Sequence, residues 1–354
     1  MPTTSRPFRL AAAALASSAA LLATALPAGA CGGLVGENGT IQLTKTTTLA
    51  VYHDGVERYV TSFEFSGTGD AVGSIIPLPD VPTDVVRGGD WTLQRLEREV
   101  APPADVRAKS AGLAAPDSAE VILQTQIDAL DITVLKGGGD EVGTWAHDNG
   151  FLLTPDAPEV LDFYGSRSQI FMVARFDAAR ASALGQQAGD GTPIMLTIPT
   201  DAPWVPLRIL SLGLRQEQVV QADVFLLTDD QPELLAGGPG LTLNRSEPAN
   251  AALLNDLRSD VGMGWVPAHM WFTYLGVDAP AGELGYDLSI SPNASTLPTL
   301  TDTGVTAPQV RPVTASHPGL PTWPLGAGVL AGLLVLGTVG RRDRRPATPT
   351  GAVA

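Results

Sequence analysis

The sequence predicts an α+β fold, in which a β-rich extracytoplasmic domain of mostly antiparallel strands carries a few short helices and is followed by one C-terminal transmembrane helix. Short segments rich in Val, Ile, Thr and aromatic residues recur between turn signals, which is typical of strands. Few segments show helical spacing, and the regular strand–helix alternation of a parallel sheet is missing. A long apolar stretch lies near each end of the chain, outside the predicted domain.

The clearest local signal in the domain is a hairpin. Asp54-Gly55 is a two-residue turn pair, and β-forming residues precede and follow it. Asp90 is expected to cap a helix whose apolar residues recur at helical spacing. The predicted strands are residues 47–52, 56–65, 72–78, 121–123, 132–135, 169–176, 193–198, 205–210, 219–227 and 269–277. The predicted helices are residues 91–100, 140–149, 157–164 and 250–261.

Residues 1–30 predict a secretory signal peptide. Arg6 and Arg9 precede an apolar stretch, and Ala28-Gly29-Ala30 supplies a cleavage site of small residues. The mature chain would then begin at Cys31. This cysteine is either lipidated, because the residues before it are similar to a degenerate lipobox, or left unpaired after ordinary cleavage.

A second apolar stretch, residues 323–340, predicts a single transmembrane helix. Its 18 uncharged residues would span about 27 Å as a helix, close to the thickness of the hydrocarbon core. Trp323 is expected at the membrane interface, and the basic tail, residues 341–354, orients the C-terminus to the cytoplasm and the domain to the outside. Residues 306–322 are rich in proline and predict an extended stalk between the membrane and the domain, residues 31–305. The basic residues that set this topology are Arg341, Arg342, Arg344 and Arg345.

The C-terminal end also has the outline of a surface-sorting signal. Leu320-Pro321-Thr322 begins like a sortase substrate motif, but Trp323 and Pro324 stand where Thr and Gly would be required. A retained membrane helix is therefore expected, with cleavage and cell-wall attachment as the alternative.

The charge distribution excludes several functions. The formal net charge is −15 over 354 residues, and residues 31–322 alone carry 36 acidic and 16 basic residues. Such a domain is a poor nucleic-acid binder, because phosphate contacts need clustered Lys and Arg. The single cysteine excludes a disulfide framework within the chain and a cysteine-based zinc site. No cofactor is expected, and the expected partners are the membrane and an envelope protein or glycan.

Catalytic and metal-binding motifs are missing from the sequence. There is no nucleophile elbow, no H-E-x-x-H metal motif and no phosphate-binding loop. The four histidines, at positions 53, 147, 269 and 317, lie in different segments, so their spacing predicts neither a metal site nor a catalytic site. An enzyme would need a site that the fold assembles from distant carboxylates and His147 or His269, and this alternative stays open.

Aromatic residues concentrate in one segment near the end of the domain. Trp265, Trp271 and Tyr274 are candidate ligand-binding residues, because exposed rings stack on sugars or pack on a protein partner. On a strand, however, Phe272 and Tyr274 would face one side and Trp271 the other, as core packing would require. Core packing and a carbohydrate-binding surface are both open interpretations.

Four short segments carry a family resemblance. They are residues 31–33 (CGG), 75–82 (IIPLPDVP), 145–151 (WAHDNGF) and 205–209 (VPLRI). In this order they resemble a bacterial extracytoplasmic family known only as a domain of unknown function, DUF2330. The resemblance implies export and a membrane anchor, and it carries no catalytic residues. Some members have a second cysteine shortly after the first, which this chain lacks.

The sequence therefore predicts a membrane-anchored extracytoplasmic protein that acts by binding, or as a structural component, at the bacterial cell envelope. The first alternative is an envelope hydrolase or metal-dependent enzyme. The second is a carbohydrate-binding module that uses the aromatic residues between positions 265 and 274.

Overall fold

Three β-sheets dominate the computed structural model. It describes residues 33–36, 42–66, 72–101, 120–151, 153–186, 191–236, 238–291, 298–299, 301–304, 311–312 and 314–315. The predicted signal peptide, Cys31, the predicted transmembrane segment with Trp323 and the four arginines of the tail lie outside these residues. Within the described residues, no helix combines the length and the apolar character that crossing a membrane requires. The chain divides into two units, residues 1–315 and 316–354, and all the elements below belong to the first.

Strands outnumber helices in this unit. The strands are β1 Gly33–Gly36, β2 Gln42–His53, β3 Val56–Ser66, β4 Val72–Leu78, β5 Asp84–Arg87, β6 Glu120–Ile127, β7 Leu130–Lys136, β8 Ile170–Phe176, β9 Ile194–Pro199, β10 Trp204–Val205, β11 Val219–Thr228, β12 Glu233–Ala236, β13 Leu241–Pro248, β14 Trp271–Pro280, β15 Leu288–Ser291, β16 Arg311–Pro312 and β17 Thr314–Ala315. The α-helices are α1 Thr92–Val100, α2 Gly139–Asp148, α3 Ala157–Gly165, α4 Ala178–Ala183 and α5 Ala251–Ser259. Single 3₁₀ turns lie at Arg208–Ser211, Ala281–Glu283 and Thr301–Thr303.

The largest sheet has eight strands in the order β17-β13-β14-β11-β2-β3-β9-β5. Adjacent strands in this sheet are antiparallel, except that β2 runs parallel to β11 and β17 runs parallel to β13. In the first parallel pair Tyr52 lies opposite Thr228. Because both strands point the same way, the residues that follow, His53 and Asp229, leave the sheet side by side.

Two smaller sheets complete the β-structure. The five-stranded sheet has the order β1-β4-β8-β7-β6, and the four-stranded sheet has the order β10-β15-β12-β16. All their strand pairs are antiparallel. The prediction of an α+β fold with mostly antiparallel strands is confirmed.

The eight-stranded sheet supplies side chains to two hydrophobic cores. Leu49 and Val51 belong to the smaller core, together with buried leucines of α1 and α5. Ala50, which lies between them on β2, belongs to the larger core, with residues of both smaller sheets, α2 and α3. Successive strand residues point to opposite faces, so this one sheet is covered on both sides.

Most predicted elements occur close to their predicted positions. Residues 72–78 are β4 as predicted, and Asp54 and Gly55 have φ angles of 52° and 75°, as a two-residue hairpin turn requires. Strands β1, β5, β12, β13, β15, β16 and β17 and helix α4 were not predicted. These short elements lack strong periodicity, and most depend on neighbours that are distant in sequence.

The strand predicted over residues 205–210 is wrong. Strand β10 ends at Val205, and a 3₁₀ turn begins at Arg208. The reason is tertiary. The backbone N–H groups of Leu207 and Arg208 donate to Oδ1 of the buried Asp287, at 2.7 and 3.1 Å, instead of to a neighbouring strand.

The predicted cap of the first helix is also wrong. Asp90 does not cap α1, and the residue at the cap position, Trp91, makes no side-chain capping bond. Asp260, from the end of α5, accepts hydrogen bonds from the backbone N–H groups of Asp90 and Trp91 and from the hydroxyl of Thr92, at 2.7–3.1 Å. A distant carboxylate therefore binds the backbone immediately before α1 and the hydroxyl of its first residue.

Part of the predicted stalk pairs with the domain. Within residues 306–322, β16 pairs with β12 and β17 pairs with β13. The other residues of the predicted stalk lie outside the described part of the chain.

Candidate functional site

An imidazole and two carboxylates meet at one end of the eight-stranded sheet. His53 Nδ1 lies 2.6 Å from Asp229 Oδ1, and His53 Nε2 lies 3.3 Å from Asp54 Oδ2. We call His53, Asp54 and Asp229 the hairpin cluster. One potential ligand atom from each residue lies within 4.8 Å of the other two, so these residues could hold a metal ion. The side chains are 34%, 85% and 45% exposed, which leaves the cluster open to solvent.

The backbone holds this cluster in place from three sides. His53 ends β2, and Asp54 is fixed in the left-handed region of the two-residue turn. The backbone N–H of Thr200, just after β9, donates to the carbonyl of Gly55 at 3.1 Å. Asp229 follows β11, which pairs with β2 over seven residues. The donor atoms therefore come from ordered strand ends and a tight turn.

Other acidic groups surround the cluster. The hydroxyl of Tyr52 donates to the carbonyl of Thr200 at 3.0 Å. Burial raises the pKa of Tyr52, and the negative charges of Asp201, Glu57 and Asp229 raise it further. Asp201 and Asp229 therefore place negative charge near this end of the sheet, and this charge would attract a cation.

Glu57 is the most unusual titratable group of the domain. It lies opposite Tyr52 on β3 and is completely buried. Among the described residues, no hydrogen bond of good geometry reaches either of its carboxyl oxygens, and the backbone N–H of Trp204 makes only a weak contact. Burial raises the pKa of Glu57 from 4.5 to about 8, and the backbone N–H of Trp204 opposes this only in part. The carboxyl group is therefore mostly protonated at neutral pH.

A second buried carboxylate, Asp287, has partners for both oxygens. Oδ1 accepts from the hydroxyl of Tyr164 at 2.8 Å and from the two N–H groups that start the 3₁₀ turn, and Oδ2 pairs with Arg167. Burial raises the pKa of Asp287, while Arg167 and these donors oppose the rise. The guanidinium also stacks on Trp204, 4.5 Å from the ring centre. This network joins α3 to the four-stranded sheet, so its role is structural.

A cleft of about 380 Å³ lies at the start of α2. It is lined by Gly138, Gly139, Asp140, Glu141, Thr144 and Asp162. The carboxylate of Glu141 already accepts from the backbone N–H of Gly138 and caps the helix. The hydroxyl of Thr144 donates to the backbone carbonyl of Asp140 at 2.8 Å, and the N-terminus of the helix is capped by its own side chain.

The predicted aromatic residues do not form one exposed row. Tyr274 stacks on Phe225 at 5.1 Å between ring centres, and its hydroxyl donates to Asp223 at 3.0 Å. Trp265 lies under the guanidinium of Arg58, 4.5 Å from the ring centre. The indole N–H of Trp271 donates to Ser246 at 2.9 Å. All three side chains are partly buried, and Trp271 lies on the opposite face of β14 from Tyr274.

The two histidines named for a possible enzyme lie apart and exposed. His147, near the end of α2, is 80% exposed and lies 3.4 Å from Asp148. His269, just before β14, is also exposed. The described residues do not bring either one into a cleft with two carboxylates.

The structure instead brings together residues that the sequence did not connect. His53 and Asp229 are separated by 176 positions, and only the parallel pairing of β2 with β11 makes them neighbours. No local pattern signals this. Glu57 is equally hidden, because an acidic residue after a turn usually faces solvent.

One comparison with known proteins shows the family of this chain. The profile of DUF2330, described as an uncharacterized protein conserved in bacteria, matches residues 25–231, more than half of the chain. The chain belongs to this bacterial family. The match includes all four segments that carry the resemblance and ends just after Asp229 and Asp230.

Other comparisons add no functional information. No curated protein matches the chain. Among solved structures, the crystal structure of baculovirus P35 aligns with 70% of this chain and 94% of its own, at 10% sequence identity and a TM-score of 0.35. A likeness this low supports no statement about the fold or the function of this protein.

Proposed function

We propose that this protein is exported, is held at the cytoplasmic membrane by a C-terminal helix, and acts at the bacterial envelope by binding a partner or as a structural component. The observation that carries the proposal is the pair of end signals. A cleavable apolar segment precedes Cys31, and an uncharged segment of membrane-spanning length is followed at once by four arginines. The domain between them would face the outside.

The chemistry of the domain supports binding more than catalysis. Its net negative charge favours solubility and repels an anionic lipid surface. In the described part of the chain, the most buried carboxylates are Asp287, which a structural network satisfies, and Glu57, which has no base or nucleophile hydrogen-bonded to it. His147 and His269 are exposed and separate, which gives the hydrolase alternative less support.

The carbohydrate-binding alternative has less support as well. Sugar-binding aromatic rings usually offer a free face to the ligand. Arg58 covers one face of Trp265, and Tyr274 stacks on Phe225. Trp271 projects from the opposite side of the strand, so these rings offer no common platform.

Export and topology are tested with the full chain in a bacterial host. Mass spectrometry of the mature protein should show Cys31 as the first residue, with or without a lipid. Protease added to intact spheroplasts should degrade the domain, while a reporter fused after Ala354 should be active only in the cytoplasm. Recovery of an uncleaved chain in the soluble cytoplasmic fraction would contradict the proposal.

The partner is tested by cross-linking in native membranes, followed by identification of the captured proteins. We expect envelope proteins or wall material to be linked to the domain. The matched control is a chain that ends before residue 316 and is released from the membrane. Capture of cytoplasmic proteins alone, or a secreted hydrolase activity that depends on His147 or His269, would replace this proposal with another.

A further inference from the structure

We propose that the hairpin cluster of His53, Asp54 and Asp229 is a binding site for one divalent transition-metal ion of the Zn²⁺ type, open to solvent. The proposal goes beyond the envelope role and does not depend on it. It rests on the placement of three donor atoms of the right kind, two from adjacent residues of the hairpin and one from the residue that follows β11.

The donor set selects the class of ion. One imidazole nitrogen and two carboxylate oxygens lie within 4.8 Å of one another. Zn²⁺ binds imidazole and carboxylate donors with three protein ligands and leaves a fourth position for water or another ligand. Ca²⁺ and Mg²⁺ prefer six or more oxygen donors or several retained waters, and an imidazole serves them poorly. The mixture of nitrogen and oxygen donors therefore favours a transition-metal ion of intermediate softness, such as Zn²⁺.

The imidazole of His53 is held in place by carboxylates, as metal-binding histidines commonly are. Its two ring nitrogens each face a carboxylate, at 2.6 Å on the Nδ1 side and 3.3 Å on the Nε2 side. In metal sites the nitrogen that does not bind the ion is commonly held by a carboxylate, which fixes the ring and raises its basicity. A carboxylate has two oxygens, so the carboxylate beside the free nitrogen can hold the ring through one oxygen and bind the ion through the other.

The negative charge around the cluster also favours binding of a divalent cation. Asp54 and Asp229 both lie close to one imidazole, so their negative charges repel each other. Asp201 and the partly exposed Tyr52 lie nearby, and no Lys or Arg makes an ion pair with Asp54 or Asp229 in the part of the chain that the structure describes. A bound cation would relieve this repulsion.

The competing interpretation is a plain ion-pair clamp, in which a protonated His53 simply joins the hairpin to β11. A clamp and a metal site make different predictions. A clamp needs no ion and is indifferent to Zn²⁺. A metal site binds one ion per chain, and the bound ion raises the thermal midpoint by mass action.

The test is titration of the full-length protein, purified without a histidine tag, with ZnCl₂ in calorimetry and thermal unfolding. We expect one ion per chain and a thermal midpoint that rises with ZnCl₂. His53→Gln and Asp229→Asn should each weaken binding by at least about 100-fold, because each removes a direct ligand and even the loss of an outer-shell partner costs up to this much. Asp230→Asn is the matched control, since Asp230 is the exposed neighbour of Asp229 and lies outside the cluster, and it should bind as the wild type does.

The remaining outcomes overturn the proposal. These are no saturable Zn²⁺ binding in the folded wild type, equal affinity in the wild type and His53→Gln, or Ca²⁺ binding as tightly as Zn²⁺. Circular dichroism of each variant shows whether it folds, and His147→Gln controls for the loss of any exposed histidine.

Discussion

Replacing Glu57 by Gln should stabilise this protein, and increasingly so as the pH rises. The carboxyl is fully buried, its oxygens lack hydrogen bonds of good geometry among the described residues, and its pKa is about 8 in the fold against an ordinary 4.5. Between these values the folded chain holds a proton that the unfolded chain has released. The free energy of unfolding therefore falls as the pH rises from 4.5 to 8, and is level above that.

The magnitude follows from the gap between the two pKa values. Each pH unit within the gap is worth about 1.4 kcal/mol, so the ionisable carboxyl costs about 5 kcal/mol above pH 8 and about 4 kcal/mol at pH 7.5. Gln has a similar shape and never ionises, so Glu57→Gln removes this cost. Near pH 4.5 the gain should be close to zero, because the carboxyl is protonated in the folded chain.

The assay is urea unfolding, followed by tryptophan fluorescence, of the wild type and Glu57→Gln at several pH values between 4.5 and 8.5. The matched control is Glu217→Gln, because Glu217 is fully solvated before β11 and should change nothing. A gain that does not grow with pH, or a variant less stable than the wild type at pH 7.5, would refute the reasoning.

Three further predictions concern other buried features. Asp287→Asn should cost about 3–5 kcal/mol in urea unfolding, because it leaves the mostly buried Arg167 without its charged partner. A loss no larger than that of Asp230→Asn would contradict this. Asp260→Ala should cost about 1–2 kcal/mol through the lost cap of α1. Burial raises the pKa of Asp260, but four hydrogen-bond donors outweigh it, so its contribution is present above pH 3.8 and disappears on acidification; an unchanged acid-unfolding curve in the variant would refute it. Gly139→Ala should destabilise the protein, because the new Cβ would lie 2.5 Å from the backbone N of Asp162 in α3. Gly143→Ala, in the same helix, contacts only leucine side chains at 3.6 Å or more and should be neutral or stabilising. Equal thermal midpoints for the two variants would contradict this prediction.

The sequence correctly predicted the secondary-structure elements that nearby residues alone determine. The hairpin at Asp54-Gly55, strand β4 and the helices α2, α3 and α5 depend on turn residues, β-branched runs and helical spacing within a few positions. Predictions failed where a distant group changes the backbone. Asp287 turns residues 207–211 away from a strand, and Asp260 replaces Asp90 as the cap of α1.

The candidate site also separates what local sequence predicts from what distant residues decide. The sequence placed His53 beside a turn, yet nothing near it identifies Asp229 as a neighbour. The burial of Glu57 was equally hidden, because its neighbours in sequence mark only a strand that follows a turn. The aromatic segment gave the opposite result. Its alternation predicted that Phe272 and Tyr274 share a face and Trp271 takes the other, and β14 confirms this.

The sequence by itself determined the class of fold, the family, and the expectation of export and membrane anchoring. These depend on composition, periodicity and short segments, which are readable along the chain. Only the tertiary structure decided which charged groups meet. It paired β2 with β11, buried Glu57 without a hydrogen bond of good geometry among the described residues and brought His53 between two carboxylates. The physical reason is that burial and Coulomb interactions depend on distances in space, which strand pairing sets between residues far apart in sequence.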